Sequence, residues 1–277
     1  MLEKTRLSFL MSSCDSYEDL WRPFFECVQK FWPEIPYPIY LNTELKEFTG
    51  VGSIKVNTLN QVKKGNMSWS ARFRDVLLRI PTEYVFLVLD DFFLCDVVDN
   101  SFIERLLDEM DRDKSIPSIQ LNGTRMILNG EPDLTDGEMK ICNLWPKGWA
   151  THFVPTIWRK ETLLSWLRPW ESIWGFEGYG SDRARRKHLT ETVKVVCSPA
   201  IYKYLWVKDC SAVVHSKWLD EPGVLDFFEK NGIAIDFNAR KTISFEDYKK
   251  EGMSAQLRKY SIGEIIVKSF NRMRSYF

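Results

Sequence analysis

One apolar run, Tyr84–Leu89, constrains the fold of this chain more than any other feature. Its sequence, YVFLVL, leaves no polar face, so a strand here would be buried on both sides, as the central strands of parallel sheets are. The run leads straight into Asp90 and Asp91. It therefore predicts a central strand that carries a pair of carboxylates at its carboxyl end.

Strand and helix patterns alternate along the rest of the chain. Strands are predicted at 7–11, 38–42, 54–57, 118–121, 193–197 and 201–204. Helices are predicted at 17–32, 68–79, 101–110 and 160–167. This alternation is typical of α/β folds with a mostly parallel sheet. Residues 1–255 show no linker or repeat and are predicted to form one domain, followed by a helical tail at 256–277.

Charge and cysteine content narrow the class of protein. Lys+Arg and Asp+Glu both number 38, and a protein that neutralises nucleic-acid phosphates usually shows a basic excess, so no nucleic-acid partner is expected. The sequence has no signal peptide and no apolar run long enough to span a membrane, which favours a cytoplasmic protein. The six cysteines form no Cys-x-x-Cys pair and are interpreted as reduced, buried thiols.

The acidic pair is the strongest candidate for a functional site. Adjacent carboxylates repel each other, and at a sheet edge they need a compensating cation or strong hydrogen-bond donors. Mg²⁺ or Mn²⁺, held by one or two carboxylates and by phosphate oxygens, is a natural partner. The alternative is that Asp90 or Asp91 caps a following helix or turn. The apolar run before the pair and the two phenylalanines after it favour the cation.

Four patches follow one another along the chain: 7–16, 69–75 ahead of the LDDFF motif, 169–171 with Phe176-Glu177, and 213–218. In this order they resemble the GT-A class of nucleotide-sugar glycosyltransferases, in particular small bacterial enzymes that build surface polysaccharides. The resemblance implies a GT-A (Rossmann-like) fold with a mixed, mostly parallel sheet flanked by helices. It also implies transfer of a hexose from a nucleotide-diphosphate donor, of UDP type in the first instance, to a saccharide or lipid-linked saccharide. The family usually has Asp-x-Asp, whereas this chain has Asp90-Asp91.

The same resemblance implies roles for individual residues. The loop after the first strand of such enzymes contacts the base of the donor, which points to Ser13 and Asp15. The first acid of the motif faces the ribose or the sugar and the last one binds the metal, which suggests Asp90 for the donor and Asp91 for Mn²⁺ or Mg²⁺. A late histidine often completes the metal shell, and His215 matches it.

Three cations are further candidates for binding the donor. Arg72 and Arg74 lie on the helix before the central strand and could reach phosphate or base, although a solvated helix face is an equal alternative. Lys217 could offset the charge of the diphosphate. His215, which follows two valines, could instead be a packed histidine.

Inverting sugar transfer needs a carboxylate that takes the proton of the acceptor hydroxyl. Glu177 is the expected base, because it lies in an aromatic, glycine-flanked segment and apolar rings would raise its pKa. Glu171 and Asp182 are rival candidates for the base. The alternative role of Glu177 is structural, as the partner of an arginine of 182–187 in an ion pair. Retention of configuration stays open. The residues expected to bind the acceptor are Trp170, Trp174, Tyr179 and Asp182, although core packing is the commoner role of tryptophan.

The tail has an apolar stripe and an excess of basic residues. Such a helix can lie on an anionic membrane surface, which would hold the protein at the inner face of the membrane, or it can pack against the domain. Two other functions stay open: a non-catalytic carbohydrate-binding protein and a metal-dependent phosphotransferase. The sequence contains no P-loop, dinucleotide fingerprint or Gly-x-Ser-x-Gly elbow.

Overall fold

A computed structural model describes residues 5–60, 68–121, 134–136, 139–144, 148–257, 270 and 273–274. A ten-stranded sheet, ordered β3-β4-β2-β1-β5-β9-β6-β10-β8-β7, forms its centre. The strands are β1 (Leu7–Ser12), β2 (Ile39–Thr43), β3 (Gly50–Val51), β4 (Ile54–Asn60), β5 (Tyr84–Leu89), β6 (Ser118–Gln120), β7 (Leu134–Asp136), β8 (Met139–Asn143), β9 (Thr156–Arg159) and β10 (Lys194–Ser198). Only β3, β8 and β9 run against the others among these strands, so the expected mixed, mostly parallel sheet is confirmed.

Helices cover both faces of this sheet. They are α1 (Glu18–Phe31), α2 (Trp69–Arg79), α3 (Asn100–Arg112), α4 (Lys160–Trp166), α5 (Ile173–Gly175), α6 (Ser181–Arg186), α7 (Pro222–Asn231) and α8 (Phe245–Leu257). Short 3₁₀ turns lie at Asp15–Tyr17 and Leu189–Thr192, and a π-helical turn, Phe176–Gly180, joins α5 to α6.

Alternate side chains of β5 enter two separate cores, as the apolar run predicts. Phe86 and Val88 pack with α1 and α3, whereas Val85 and Leu87 pack with α2 and α4. All four side chains are at most 1% exposed. The carboxyl end of β5 is therefore held rigidly from both sides, and the residues that follow it inherit a fixed position.

Two small sheets lie beyond the main one. Strands β11 (Trp206–Val207) and β12 (Cys210–Ser211) form a hairpin. Strands β13 (Val213–Val214), β14 (Lys217–Leu219) and β15 (Thr242–Ile243) form a three-stranded sheet. The ring of Trp218 stacks on Phe93, with 5.5 Å between centroids, which anchors this late segment beside the acidic motif.

The structure corrects three expectations about the fold. Residues 201–204 form no strand. Tyr202 is fully buried, and its hydroxyl donates to the carbonyl of Phe92, so packing in the core explains the apolar character of this segment. Strand β9 was missed because it has only four residues. Helix α8 crosses the predicted boundary at residue 255, and most of the predicted tail lies outside the described residues.

The cysteines do not all behave as expected. Cys142 and Cys197 form a disulfide, so the expectation of six reduced thiols is wrong for this pair. The reason is topological: antiparallel pairing of β8 with β10 sets Cys142 opposite Val195, two residues from Cys197. Cys14, Cys27, Cys95 and Cys210 are free. No helix within the described parts of the chain is long and apolar enough to cross a lipid bilayer.

Candidate functional site

The acidic pair lies where the sequence predicts, at the carboxyl end of β5. Parallel pairing sets Ser12 opposite Leu89, so the next residues of both strands meet at the sheet edge. The hydroxyl of Ser13 donates to Asp90 Oδ2 and accepts the indole N–H of Trp21 at 2.7 Å. The structure thus brings Ser13 and Asp90 together, with Trp21 fixing the serine.

Asp91 has one satisfied and one unsatisfied oxygen. Ser211 Oγ donates to its Oδ2 over 2.9 Å, whereas its Oδ1 is buried and has no hydrogen-bond partner. Asp99 caps α3, so capping of that helix does not explain the pair. A buried carboxylate oxygen without a donor is costly unless a ligand satisfies it.

Both carboxyl groups resist ionisation. Burial, and then the neighbouring charge of Asp91, raise the pKa of Asp90 to about 8, against the hydrogen bond from Ser13 and the positive charge of Arg240. Burial likewise raises the pKa of Asp91 to about 6, although Ser211 favours its charged form. A cation at this edge would remove the repulsion and favour both charged forms.

We expect Asp90→Asn to stabilise the metal-free protein at high pH. A carboxyl group whose pKa is raised by folding contributes stability that is complete below about pH 4 and is lost as the pH rises through its folded pKa. At about pH 9 the asparagine variant should therefore exceed the wild type by more than about 1 kcal/mol in free energy of unfolding, and the gain should shrink at about pH 5. Urea unfolding with a chelator present measures this. Asp226→Asn, at a solvated side chain, is the control, and an equal gain at both pH values would contradict the expectation.

The π-helical turn presents Glu177 at the same edge. The hydroxyl of Thr151 lies 2.8 Å from the carbonyl of Phe176 and 3.0 Å from that of Glu177, so it satisfies backbone groups of this turn. A side chain at Gly180 would meet that hydroxyl, because a Cβ there would lie 2.7 Å from Thr151 Oγ1. Turns of this kind occur frequently at functional sites.

The carboxyl group of Glu177 accepts a hydrogen bond from the backbone N–H of Phe153, with 3.2 Å between Oε1 and the nitrogen. Burial raises the pKa of Glu177, the Phe153 N–H lowers it, and the charge of Asp91 raises it. The charge of Asp91 thus acts on the carboxyl group of Glu177, although no hydrogen bond joins the two side chains among the described residues. The net effect places the pKa of Glu177 above the ordinary value of a glutamate.

The two rival bases are engaged elsewhere. Glu171 forms a buried bidentate ion pair with Arg183, in which Nη2 lies 3.0 Å from Oε2. Asp182 accepts from Arg185 at 2.9 Å. Among the described residues, Glu177 forms no ion pair, so the pairing considered as its alternative belongs to Glu171.

Asp15 has a role in folding the loop. Its carboxylate accepts the backbone N–H groups of Glu44, Leu45 and Lys46, at 3.0 to 3.2 Å. Burial alone would raise the pKa of Asp15, but these three donors hold it below its ordinary range. The group predicted to meet the base thus braces the loop that borders the site.

His215 and Lys217 point to α8. His215 lies with Ser216 in the turn between β13 and β14, and both have positive φ, 48° and 61°. Glu251 binds His215 Nδ1 at 3.0 Å and Lys217 Nζ at 2.7 Å. Within the described residues, no contact joins His215 to Asp91, and no three acidic, histidine or cysteine side chains form a group that could hold a metal.

The remaining predicted residues are spread over several places. Arg74 donates to the carbonyl of Leu164 and thus faces α4, and Arg72 is partly exposed on the same helix. The guanidinium of Arg274 lies 4.4 Å above the ring of Trp170. Trp174 is 76% exposed. Tyr179 and Asp182 line a small cavity next to Glu177.

Sequence reasoning missed Arg240. Its buried guanidinium pairs with Asp19, at 2.8 and 2.9 Å, and donates to the carbonyls of Ser16 and Ser216. It also covers the ring of Tyr17 at 4.2 Å and favours the charged form of Asp90. Nothing local marks this residue, because its partners come from distant segments.

His152 was also missed, and it precedes the residue that holds Glu177. Burial lowers the pKa of His152 to about 4, so the ring is neutral at physiological pH. Its Nδ1 accepts the backbone N–H of Val154 at 3.3 Å. Weighing each of the chain's three histidines would have raised it as a candidate.

Among known proteins, this chain is similar to several solved structures at low sequence identity. No protein-family model and no curated protein matches the chain. Solved structures with similarity include S. aureus TarS 1–349, at 10% identity and a TM-score of 0.43, over 72% of this chain and 60% of that chain. A complex of S. aureus TarS 1–349 with UDP-GlcNAc has 8% sequence identity and a TM-score of 0.42, over 72% of this chain and 58% of that chain. CMP:2-keto-3-deoxy-manno-octonic acid synthetase complexed with CTP has 11% sequence identity and a TM-score of 0.40, over 82% of this chain and 98% of that chain. The chain thus spans about 60% of the first of these structures.

Proposed function

We propose that this chain is a metal-dependent glycosyltransferase that moves a sugar from a nucleotide-diphosphate donor to a saccharide acceptor. One observation carries the proposal: a buried acidic pair at the end of β5, with an unpartnered oxygen on Asp91, lies close to a carboxylate of raised pKa. The acidic pair suits a cation and a diphosphate, and the carboxylate of raised pKa suits a base for the acceptor hydroxyl.

The residues present fit a divalent cation. The unsatisfied Oδ1 of Asp91 offers a hard oxygen ligand, and Asp90 is its immediate neighbour. Mg²⁺ and Mn²⁺ commonly take only one or two protein carboxylates and complete their shell with water and phosphate oxygens. When bound, such an ion stabilises the negative charge of the departing nucleotide diphosphate. Asp91 therefore carries the metal proposal, and the contacts of His215 give it no support.

The donor side is built on Ser13 and Asp90. Ser13 occupies only Oδ2 of Asp90, so Oδ1 can accept from a hydroxyl of the ribose or the sugar. The charge of Arg240 lowers the pKa of Asp90 against the larger effects of burial and of Asp91, and its guanidinium ties the loops of Ser16 and Ser216 together. We infer a UDP-type donor here from the sequence resemblance.

Glu177 is proposed to act on the acceptor. Phe153 holds Oε1, which leaves Oε2 for the proton of the acceptor hydroxyl. As that proton moves to Glu177, the acceptor oxygen forms a bond to the anomeric carbon. The bond from that carbon to the phosphate oxygen breaks, and its electron pair leaves with the nucleotide diphosphate. Attack from the opposite side inverts the configuration.

The acceptor is proposed to be a saccharide, free or lipid-linked. Phe270 and Met273 of the tail are 56% and 55% exposed, and such side chains would suit contact with the inner face of a membrane. The tail would then hold the protein near a lipid-linked acceptor. This peripheral contact is part of the proposal.

UDP and Mn²⁺ together should raise the melting temperature of the protein by several degrees. A ligand that binds only the folded state stabilises it by about 2.7 kcal/mol at a hundred times its dissociation constant. Asp91→Ala should abolish the shift, because the variant lacks the oxygen proposed to bind the ion. Differential scanning fluorimetry measures it.

Asp96→Ala is the matched control, since Asp96 lies just beyond the motif and pairs with Lys203 on the surface. It should keep the full shift. A shift that persists in Asp91→Ala would refute the metal site proposed here. Stabilisation by free saccharides alone, without metal or nucleotide, would favour the carbohydrate-binding alternative.

A further inference from the structure

A cavity of about 280 Å³ opens next to the segment that carries Glu177. Among the described residues, its lining includes Trp149, Gly178, Tyr179, Ser181, Asp182 and Arg185. Small-molecule sites in proteins begin at about 300 Å³, so this one suits a single small ring. The geometry points to a subsite for one neutral sugar ring of the acceptor, with Trp149 as its platform. This inference rests on the proposed transferase function.

The cavity lies on the acceptor side of the proposed base. Gly178, in its lining, directly follows Glu177, and the hydroxyl of Thr151 ties the turn of Glu177 to the segment of Trp149. Gln120, the last residue of β6, donates to the carbonyl of Trp149 at 3.1 Å. Gln120 and Leu87 both pair with Thr156 of β9, so β6 ends two residues short of the end of β5, at the same edge of the sheet. The bond from Gln120 therefore places the backbone of Trp149 near the edge that carries the acidic motif.

Trp149 is the indole best placed to serve as a platform. It is 51% exposed, and it is held by Gln120 and by an edge contact with His152, at 6.2 Å between centroids. The C–H face of a pyranose packs well on such an aromatic surface. The sequence instead suggested Trp170 and Trp174. Arg274 covers a face of Trp170, and Trp174 is not part of the lining.

The polar groups of the cavity favour a neutral polyol. Asp182 and Arg185 form an ion pair of 2.9 Å, so the lining presents an acceptor and donors side by side with compensating charges. Adjacent hydroxyls of a sugar can donate to the carboxylate and accept from the guanidinium. A charged ligand would meet one attractive and one repulsive group. The subsite should therefore select an uncharged sugar.

Saturation-transfer NMR with methyl glycosides of glucose, galactose and N-acetylglucosamine tests the subsite without nucleotide or metal. The wild type should bind at least one of them at millimolar concentration. Trp149→Ala should weaken that binding by at least about threefold, as expected for loss of an aromatic contact. Trp206→Ala, at an indole that is 50% exposed and lies outside the cavity lining, is the matched control and should bind as the wild type does.

Absence of binding in the wild type, or equal binding in Trp149→Ala, would overturn the subsite. If Trp149→Ala fails to fold, Arg185→Ala at the partly exposed rim replaces it, with the same expected loss. The two proposals fail separately: glycoside binding that depends on Trp149, without a UDP–Mn²⁺ shift, would refute the transferase and keep the subsite. A melting shift with UDP and Mn²⁺ but no glycoside binding would refute the subsite and keep the proposed transferase function.

Discussion

Glu177→Gln should reduce the rate of donor turnover by about 10² to 10⁴-fold, the usual contribution of a general base. The glutamine keeps an oxygen for the N–H of Phe153, so the turn should hold its shape while the proton acceptor is lost. Release of UDP from UDP-hexoses, with water as the acceptor, gives a readout that needs no knowledge of the natural acceptor. The melting shift with UDP and Mn²⁺ should be unchanged.

The pH dependence sharpens this test. In the proposed mechanism the charged form of Glu177 accepts the proton, and burial raises the pKa of this group. The wild-type rate should therefore increase with pH over a range above that of an ordinary carboxyl group. This limb of the profile should disappear in Glu177→Gln. Glu191→Gln, at a carboxylate that is 69% exposed, is the control. Turnover by Glu177→Gln within tenfold of the wild type would contradict the role of the base.

Glu171→Ala should destabilise the fold by about 3–5 kcal/mol, the usual cost of breaking a buried ion pair. Its partner Arg183 is 6% exposed and would be left without its carboxylate. Burial raises the pKa of Glu171 even though Arg183 lowers it, which indicates that the surroundings penalise a lone charge. At roughly 2–4 °C per kcal/mol for a domain of this size, the melting temperature should fall by many degrees.

Asp182→Ala is the matched stability control, because it removes the more exposed ion pair with Arg185 in α6, the helix that also carries Arg183. Such pairs are worth up to about 1 kcal/mol. The double variant Glu171→Met/Arg183→Met should be less destabilised than Glu171→Ala, since no charge remains buried. Equal free energies of unfolding for Glu171→Ala and Asp182→Ala would show that the buried ion pair contributes no more to stability than the exposed one.

The fold was largely predictable because its signals are local. The boundaries of β5 were predicted correctly, since six apolar residues admit one interpretation. The helix predicted to begin at Ser68 is also found, and the Ser68 side chain caps α2 by accepting the N–H of Ala71. Strand β9, by contrast, has four residues and takes its place from its neighbours β5 and β6.

The site was less predictable because its chemistry depends on distant contacts. The sequence could not show that Arg183 would pair with Glu171 and leave Glu177 unpaired. Nor could it show that Asp15 would be used by three backbone N–H groups of another loop. Arg240 acts on segments more than 200 residues away, at Ser16 and Asp19, and no pattern in the sequence marks such a partnership.

The π-helical turn of Glu177 gives this chain an unusual sensitivity to length. A π turn contains one more residue than an α turn, and each residue advances a helix by about 100°. Loss of a single codon between Phe176 and Gly180 would restore an ordinary helix and rotate the carboxylate away from the sheet edge. A relative could thus lose the proposed base while keeping every acidic residue of its sequence. Alignments of this segment should therefore be judged by residue count before residue identity.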